Sequence, residues 1–314
     1  LGSKSFVHQP VLLSEVVEAL GCAPGKVYVD GTLGGGGHTE ELLKASAPDG
    51  RVIGIDQDSD AVEAAAERLK EYGDRVVIVR ESFTALRSVL DSLGLESVDG
   101  VLLDLGVSTH QLTSPTRGFS FRSDSKLDMR MDDRAEFSAY EVVNEYEEAE
   151  LARIFKFYGE ERFAYRIARA VVRARASKPI EGTRALAEIV VGAIPAKFHG
   201  RKTHPATKVF QAIRIVVNDE MESLKKGIEA GIASLAPGGR MAIIAFHSLE
   251  DKIVKRAFAE LANPCTCPPR APGCVCGLVP TVKLLKRGSI KPGMAEVEAN
   301  PKARSARLRA VEKL

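Results

Sequence analysis

The stretch VYVDGTLGGGGH, Val27 to His38, decides how this chain is read. Val27, Tyr28 and Val29 form an apolar, β-prone run that ends in Asp30. Four glycines follow, Gly34 to Gly37, and a helical segment opens at His38. Strand, glycine turn and helix start together let a ligand lie against bare backbone N–H groups at a helix N-terminus. A turn of this kind suits a dinucleotide, S-adenosylmethionine (SAM), or a tight bend with no ligand, and the residues around it choose between them.

Further apolar runs follow the first. RVIGID (51–56) reads as a second strand, VVIVR (76–80) as a third and DGVLLD (99–104) as a fourth. Helical segments at 38–46, from Asp58 or Ser59 to about 72, and at 83–93 lie between them. Continuous apolar strands alternating with helices predict a doubly wound, mostly parallel, Rossmann-like α/β sheet. Between Asp104 and a fifth strand, MAIIAF (241–246), lie 136 residues. A crossover needs about a dozen residues, so the surplus predicts an inserted unit. We place a helical insert at 113–205, with 1–112 and 206–314 forming the sheet domain. From Pro205 to about Leu235 the spacing of Val209, Phe210, Ile213, Val216 and Val217 predicts one long helix.

In such sheets ligands bind outside the carboxyl ends of the strands. Asp56 stands 22 residues after Gly34, where an acid meets ribose hydroxyls. Its plainer role is a helix cap. Asp104 ends the fourth strand. Phe83, after the third, could stack on a purine or simply fill the core. Gly34 to His38, Asp56, Ser82-Phe83 and Asp104 are thus expected on one crevice. An acid at the fourth strand and the Pro237-Gly238-Gly239 turn before the fifth favour SAM over NAD. An NAD-dependent oxidoreductase would also leave the basic segments without a role.

Those basic segments are pronounced. The net charge of +2 over 314 residues hides 9 Lys/Arg against 18 Asp/Glu in residues 1–112. Residues 160–214 hold 12 against 4, and residues 283–314 hold 9 against 3. This asymmetry points to a polyanion such as a nucleic acid. Arg162, Arg166, Arg169 and Arg173 fall at i, i+4, i+7 and i+11 on an expected helix over 160–176, within an arc of about 60°. Like charges in a row repel unless a polyanion meets them, so they are the expected RNA-binding face. Arg201, Lys202, Lys208, Arg304, Arg307 and Arg309 are secondary candidates. Hydrophobic residues make up 45% of the chain, with no run near the roughly 20 residues of a membrane span. A cytoplasmic protein without a membrane partner is expected.

The chain resembles the bacterial 16S ribosomal RNA cytosine-N4 methyltransferases, the MraW or RsmH family. The resemblance is carried by HQPVLLSEVVEAL (8–20), DGTLGGGGHT (30–39), DLGVSTHQL (104–112), RGFSF (117–121) and LDMRMD (127–132). It continues through YGEERFAYRIARAV (158–171), HPATKVFQAIRI (204–215), LAPGGRMAIIAFHSLEDKIVK (235–255) and NPKARSARLR (300–309). It implies a class I SAM-dependent methyltransferase acting on the exocyclic N4 of a cytidine in the decoding centre of the small ribosomal subunit. Carried over by motif, the SAM contacts are Gly36, Gly37, His38, Asp56, Phe83, Asp104 and Gln111. The family usually has Ser-Pro before that glutamine, where this chain has Thr109-His110. The alternative is a SAM-retaining RNA-binding ribosome assembly factor without turnover.

The N4 amine is a poor nucleophile, because its lone pair is delocalised into the ring. A hydrogen-bond acceptor on an N4 proton would localise that pair and receive the proton. Asp104 is the expected catalytic group, with the Leu105-Gly106 carbonyls and His247 as weaker candidates. The reaction requires no metal. Cys22 reads as a core residue. Cys265, Cys267, Cys274 and Cys276 form C-x-C-x₆-C-x-C. This pattern is tighter than usual zinc spacing, and structural zinc, reduced thiols and disulfides all stay open.

Overall fold

Each of the five apolar runs forms a strand, because a short segment with no polar side must be covered on both faces. The computed structural model describes residues 10–199, 204–268 and 275–314. β1 (Val27–Asp30), β2 (Arg51–Asp56), β3 (Val76–Arg80), β4 (Val98–Asp104) and β5 (Leu235–Ala245) pair in parallel. Two further strands, β6 (Val282–Leu284) and β7 (Arg307–Lys313), complete a seven-stranded sheet of order β3-β2-β1-β4-β5-β7-β6. β7 runs antiparallel between β5 and β6. The sequence reading does not anticipate it: Arg307, Arg309, Glu312 and Lys313 mask the buried Leu308, Ala310 and Val311.

The helices of the sheet-forming part are α1 (Leu13–Leu20), α2 (Gly37–Ala45), α3 (Ser59–Arg68) and α4 (Leu86–Ser92). α5 (Thr109–Thr113), α6 (Ala139–Glu145), α7 (Glu148–Phe157), α8 (Ala164–Arg175), α9 (Thr183–Ala193) and α10 (Thr207–Val217) follow β4. α11 (Glu220–Ser234) leads into β5, and α12 (Ser248–Ala262) leaves it. The chain divides into two compact units, residues 1–106 with 221–314, and residues 107–220.

Strand alternation sorts the first unit's core onto the two faces of the sheet. Val29, Ile53, Val101, Leu103, Met241 and Ile243 meet Leu86 and Leu90 of α4, Leu224 and Ile228 of α11, and Val254 and Phe258 of α12. Tyr28, Val52, Leu102, Ala242, Ile244 and Leu308 meet α1, α2 and α3 through Val16, Leu20, Leu42, Leu43 and Ala65, with Leu69 just past α3. The second unit has its own apolar centre, in which Leu151 and Phe155 of α7, Ile167 and Val171 of α8, Leu186 and Val190 of α9, and Phe210 and Ile213 of α10 are buried.

Two expected boundaries move. The inserted unit reaches Glu220, beyond the expected residue 205, because α10 packs on α6 and α7. The single helix expected from Pro205 to Leu235 is two, broken where Asp219 takes a left-handed φ of 46°. Asn218 causes the break. Its side-chain amide donates to Arg214 O at 2.9 Å, capping α10, and to Met129 O at 2.8 Å. Its Oδ1 accepts from Met131 N–H at 2.7 Å. No helix among the described residues is long and apolar enough to cross a membrane.

Asn218 therefore fixes the 129–131 loop as well as the end of α10. Asn218→Ala leaves two backbone groups of that loop without partners, and urea denaturation should show a loss of about 1–3 kcal/mol.

Candidate active site

The chain order within the sheet locates the site. β1 is followed outward on one side by β2 and β3, and β4 then returns to the other side of β1. This reversal leaves a crevice beyond the carboxyl ends of β1 and β4. Asp30, Asp56 and Asp104 end β1, β2 and β4 on that edge. Asp30 is level with Gly54 and Leu102, so Asp56 and Asp104 each reach two residues further.

The turn after β1 is strapped to both neighbouring strands. Gly31 N–H donates to Leu102 O at 2.9 Å, and Leu33 N–H to Ile55 O at 3.0 Å. Asp104 N–H donates to Thr32 Oγ1 at 2.6 Å. Gly34 N–H donates to Asp56 Oδ2 at 2.8 Å, and Asp58 N–H donates to Asp56 Oδ1 at 3.0 Å. Asp56 thus joins the glycine turn to the exit of β2, while the actual cap of α3 is Asp58.

The glycines have divided reasons. Gly36 has φ 76°, and a Cβ there would press on Ala65 of α3 and on Leu69 just past its end. A Cβ at Gly37 would strike Pro10. Both are therefore required by packing, not only by close approach of a ligand. Gly35 faces open space. α2 begins at Gly37 with no side chain capping it, so its first N–H groups are available to an anion or a carboxylate.

His38 is buried, and its Nε2 lies 3.0 Å from Val11 O. A carbonyl only accepts, so Nε2 carries a proton there, and Nδ1 is the ring nitrogen turned inward. Nδ1 lies 3.5 Å from Asp104 Oδ2. Asp104 Oδ1 is buried with no hydrogen-bond partner among the described residues. Burial pushes the Asp104 carboxyl up to about 6, with His38 opposing that rise and Asp30 and Glu250 adding to it. Asp56 is likewise raised to about 6, chiefly by burial, against the pull of the Asp58 and Gly34 N–H groups. Asp30 is fully buried, raised by that burial, and held by Thr39 Oγ1 at 2.8 Å and Thr32 N–H at 3.2 Å. Sequence reading singles out neither Asp30 nor its threonine partners, although Asp30 ends the first strand as Asp56 and Asp104 end theirs.

Other expected residues are placed differently. Phe83 is half-buried, and its ring lies against Gly227 of α11. Gln111 belongs to the second unit and is buried there. Its Oε1 accepts from Ser108 N–H at 2.9 Å, while Ser108 Oγ accepts from Gln111 N–H at 3.1 Å, capping α5. His247 caps α12, accepting from Glu250 N–H at 3.4 Å, with Nε2 at 3.1 Å from Glu250 Oε1. Its Nε2 is buried with no hydrogen-bond partner among the described residues.

In the second unit all four row arginines are exposed. The helix starts at Ala164 instead of residue 160, because Glu160 takes φ 48° and Glu161 accepts from Phe163 N–H at 2.8 Å. Arg162 therefore precedes α8, with its guanidinium 5.0 Å from the Phe198 ring centre. Arg169 lies 3.5 Å from Glu148 in a largely exposed pair. Exposed Phe157, Tyr165 and Phe198 accompany these arginines. The sequence reading misses them, since isolated aromatics carry no periodic signal. Among the secondary candidates, Lys208 donates to Glu160 O at 2.8 Å. Arg309 is tied to Asp251 at 2.7 and 3.2 Å and its side chain is only 13% exposed, so it is not a free cation for RNA. Arg307 reaches the same carboxylate at 3.5 Å. Arg304 is exposed, and Arg201 and Lys202 lie outside the described residues.

The model of the MraW methylase family matches residues 5–314. The ribosomal RNA small subunit methyltransferase H of Symbiobacterium thermophilum is 54% identical over 310 residues, covering 99% of this chain and 98% of that protein. Proteins of the same name from Carboxydothermus hydrogenoformans and Geotalea uraniireducens are 53% and 51% identical, each over 98% of this chain and over 98% and 99% of their own lengths.

Because Asp104 is raised to about 6, the folded chain binds its proton more tightly than the unfolded chain does. Its contribution to stability therefore falls as pH rises from about 4 through about 6. Asp104→Asn removes that dependence. Thermal unfolding without ligand should show little difference at pH 4 and a variant more stable by about 1–3 kcal/mol at pH 7 to 8.

Proposed function

This chain belongs to the MraW methylase family, and from that premise we propose that it methylates the exocyclic N4 of a cytidine in the decoding centre of 16S ribosomal RNA, using SAM. The observation that carries this reading is the buried, unpartnered Oδ1 of Asp104 at the point where the strand order reverses. A carboxylate oxygen shielded from water and lacking a donor is suited to a ligand that brings one.

The residues present fit SAM. Asp56 is braced at the exit of β2 to receive ribose hydroxyls, the uncapped start of α2 offers N–H groups, and Gly35 leaves room above the turn. Gly36, Gly37 and His38 shape that turn. Half-buried Phe83 is the remaining expected contact of the first unit. When bound, SAM supplies a methyl group on a sulfonium, with a neutral thioether as the leaving group.

Asp104 accepts a hydrogen bond from the N4 amine, favouring a lone pair localised on nitrogen. It receives the one proton that N4 gives up as the N–CH₃ bond forms. A carboxyl raised to about 6 is a better acceptor than an ordinary aspartate and is still ionised at neutral pH. The target base leaves its stack to be reached. Arg162, Arg166, Arg169 and Arg173 grip the phosphates, and Phe157, Tyr165 and Phe198 offer π-faces to unstacked bases.

The test is methyl transfer from labelled SAM to small subunits lacking the modification, with product nucleosides separated by mass. N4-methylcytidine is expected, with kcat/KM falling as pH drops below about 6 and lost in Asp104→Asn. SAM binding and subunit capture without transfer would support an assembly factor instead. Reversing charge at Arg166 and Arg173 together should weaken RNA capture about tenfold or more. It should also flatten the slope of log K against log salt by about 1–2.

A further inference from the structure

The segment between α12 and β6 has a clear base and no core. Thr281 N–H donates to Leu261 O at 3.1 Å, and Leu314 N–H to Thr281 O at 3.0 Å, which closes the segment where it meets the sheet. None of its described residues from 263 to 281 is buried, and Val275 is 87% exposed. Apolar packing therefore does not explain how these residues are held together.

Their sulfurs converge instead. The Sγ atoms of Cys265, Cys267 and Cys276 all lie within 4.8 Å of one another. Cys276 Sγ is 3.9 Å from Cys265 Sγ. That is far from a disulfide of about 2.05 Å. It matches the edge of about 3.8 Å between sulfurs that sit about 2.3 Å from a tetrahedral zinc. Val275 N–H points at Cys267 Sγ from 3.3 Å, the kind of outer hydrogen bond that orients a thiolate toward a metal.

We propose that Cys265, Cys267 and Cys276 form a structural site for a soft, d¹⁰ divalent cation, zinc. Each thiol gives up its proton as the Zn–S bond forms, so binding releases protons. Cys274 lies outside the described residues. The site stands apart from the crevice. α12 begins just past the carboxyl end of β5 and carries the chain back about 22 Å over 15 residues. Lys313 Nζ, at the far end of β7, donates to Leu235 O at the amino end of β5. The metal therefore clips a segment at the amino-terminal edge of the sheet and takes no part in the chemistry at the opposite edge.

The full chain, prepared under reductant and without a metal-binding tag, is passed through gel filtration and assayed for metal. About one zinc per chain is expected, with X-ray absorption showing a sulfur-dominated shell at about 2.3 Å. Cys265→Ser and Cys276→Ser should each lower zinc retention at least tenfold, and chelation should lower Tm in the parent chain but not in Cys276→Ser. No retained zinc after incubation with the metal would overturn the proposal. So would a nitrogen–oxygen shell, full retention by the Cys265→Ser/Cys267→Ser/Cys276→Ser chain, or a mass showing these cysteines paired as disulfides. The absorption measurement on the parent chain decides even if a variant fails to fold.

Discussion

Three carboxylates at the ends of adjacent parallel strands are costly to ionise where water is scarce, and this constraint organises the first unit. Asp30 is met by two threonines' groups, Thr39 Oγ1 and Thr32 N–H. Asp56 is met by the N–H groups of Gly34 and Asp58. Asp104 has only the edge of His38 on one oxygen and nothing on the other. The compensation is thus complete at the inner carboxylate, good at the second, and deliberately short at the third. A site that leaves one buried acceptor unmatched is less stable empty than filled, and that difference is available to binding.

Much of this was legible in the residues. Strands β1 to β5 follow from continuous apolar runs, and the spacing from the glycine turn to Asp56 follows from strand and helix lengths. These signals are local. The break at Asn218 was not legible, because its cause is a hydrogen-bond partner nearly ninety residues away, at Met129 and Met131. Arg309 reads as a free cation until Asp251, far upstream, is placed beside it. The packing reason for Gly36 needed Leu69. What escaped the sequence was in each case a partner distant along the chain or a backbone group with no letter of its own.

The second unit repeats the lesson on its surface. The helical period around α8 is read correctly from Ile167 and Val171, which are buried, and from the arginines, which are exposed. The aromatic residues beside them gain meaning only from tertiary neighbours, as Phe198 does from Arg162 and Phe163. Arg175, which continues the basic run, turns inward to the carbonyls of Val143 and Tyr146. Charge in sequence and charge on the surface are different quantities.

The position of β7 bears on how the protein is made. Residues 307–313 are placed between β5 and β6 and pair with β5 from Arg240 through Ala245. During synthesis β5 has an uncovered edge, and β6 has no neighbour, until those seven residues have left the ribosome. The sheet cannot be finished progressively from the first strand to the last. β7 fills a gap whose two walls, β5 and β6, come some sixty and some twenty residues earlier in the chain. Without β7 the edge of β5 from Arg240 through Ala245 would be left uncovered, so the first unit depends on this strand to close its sheet.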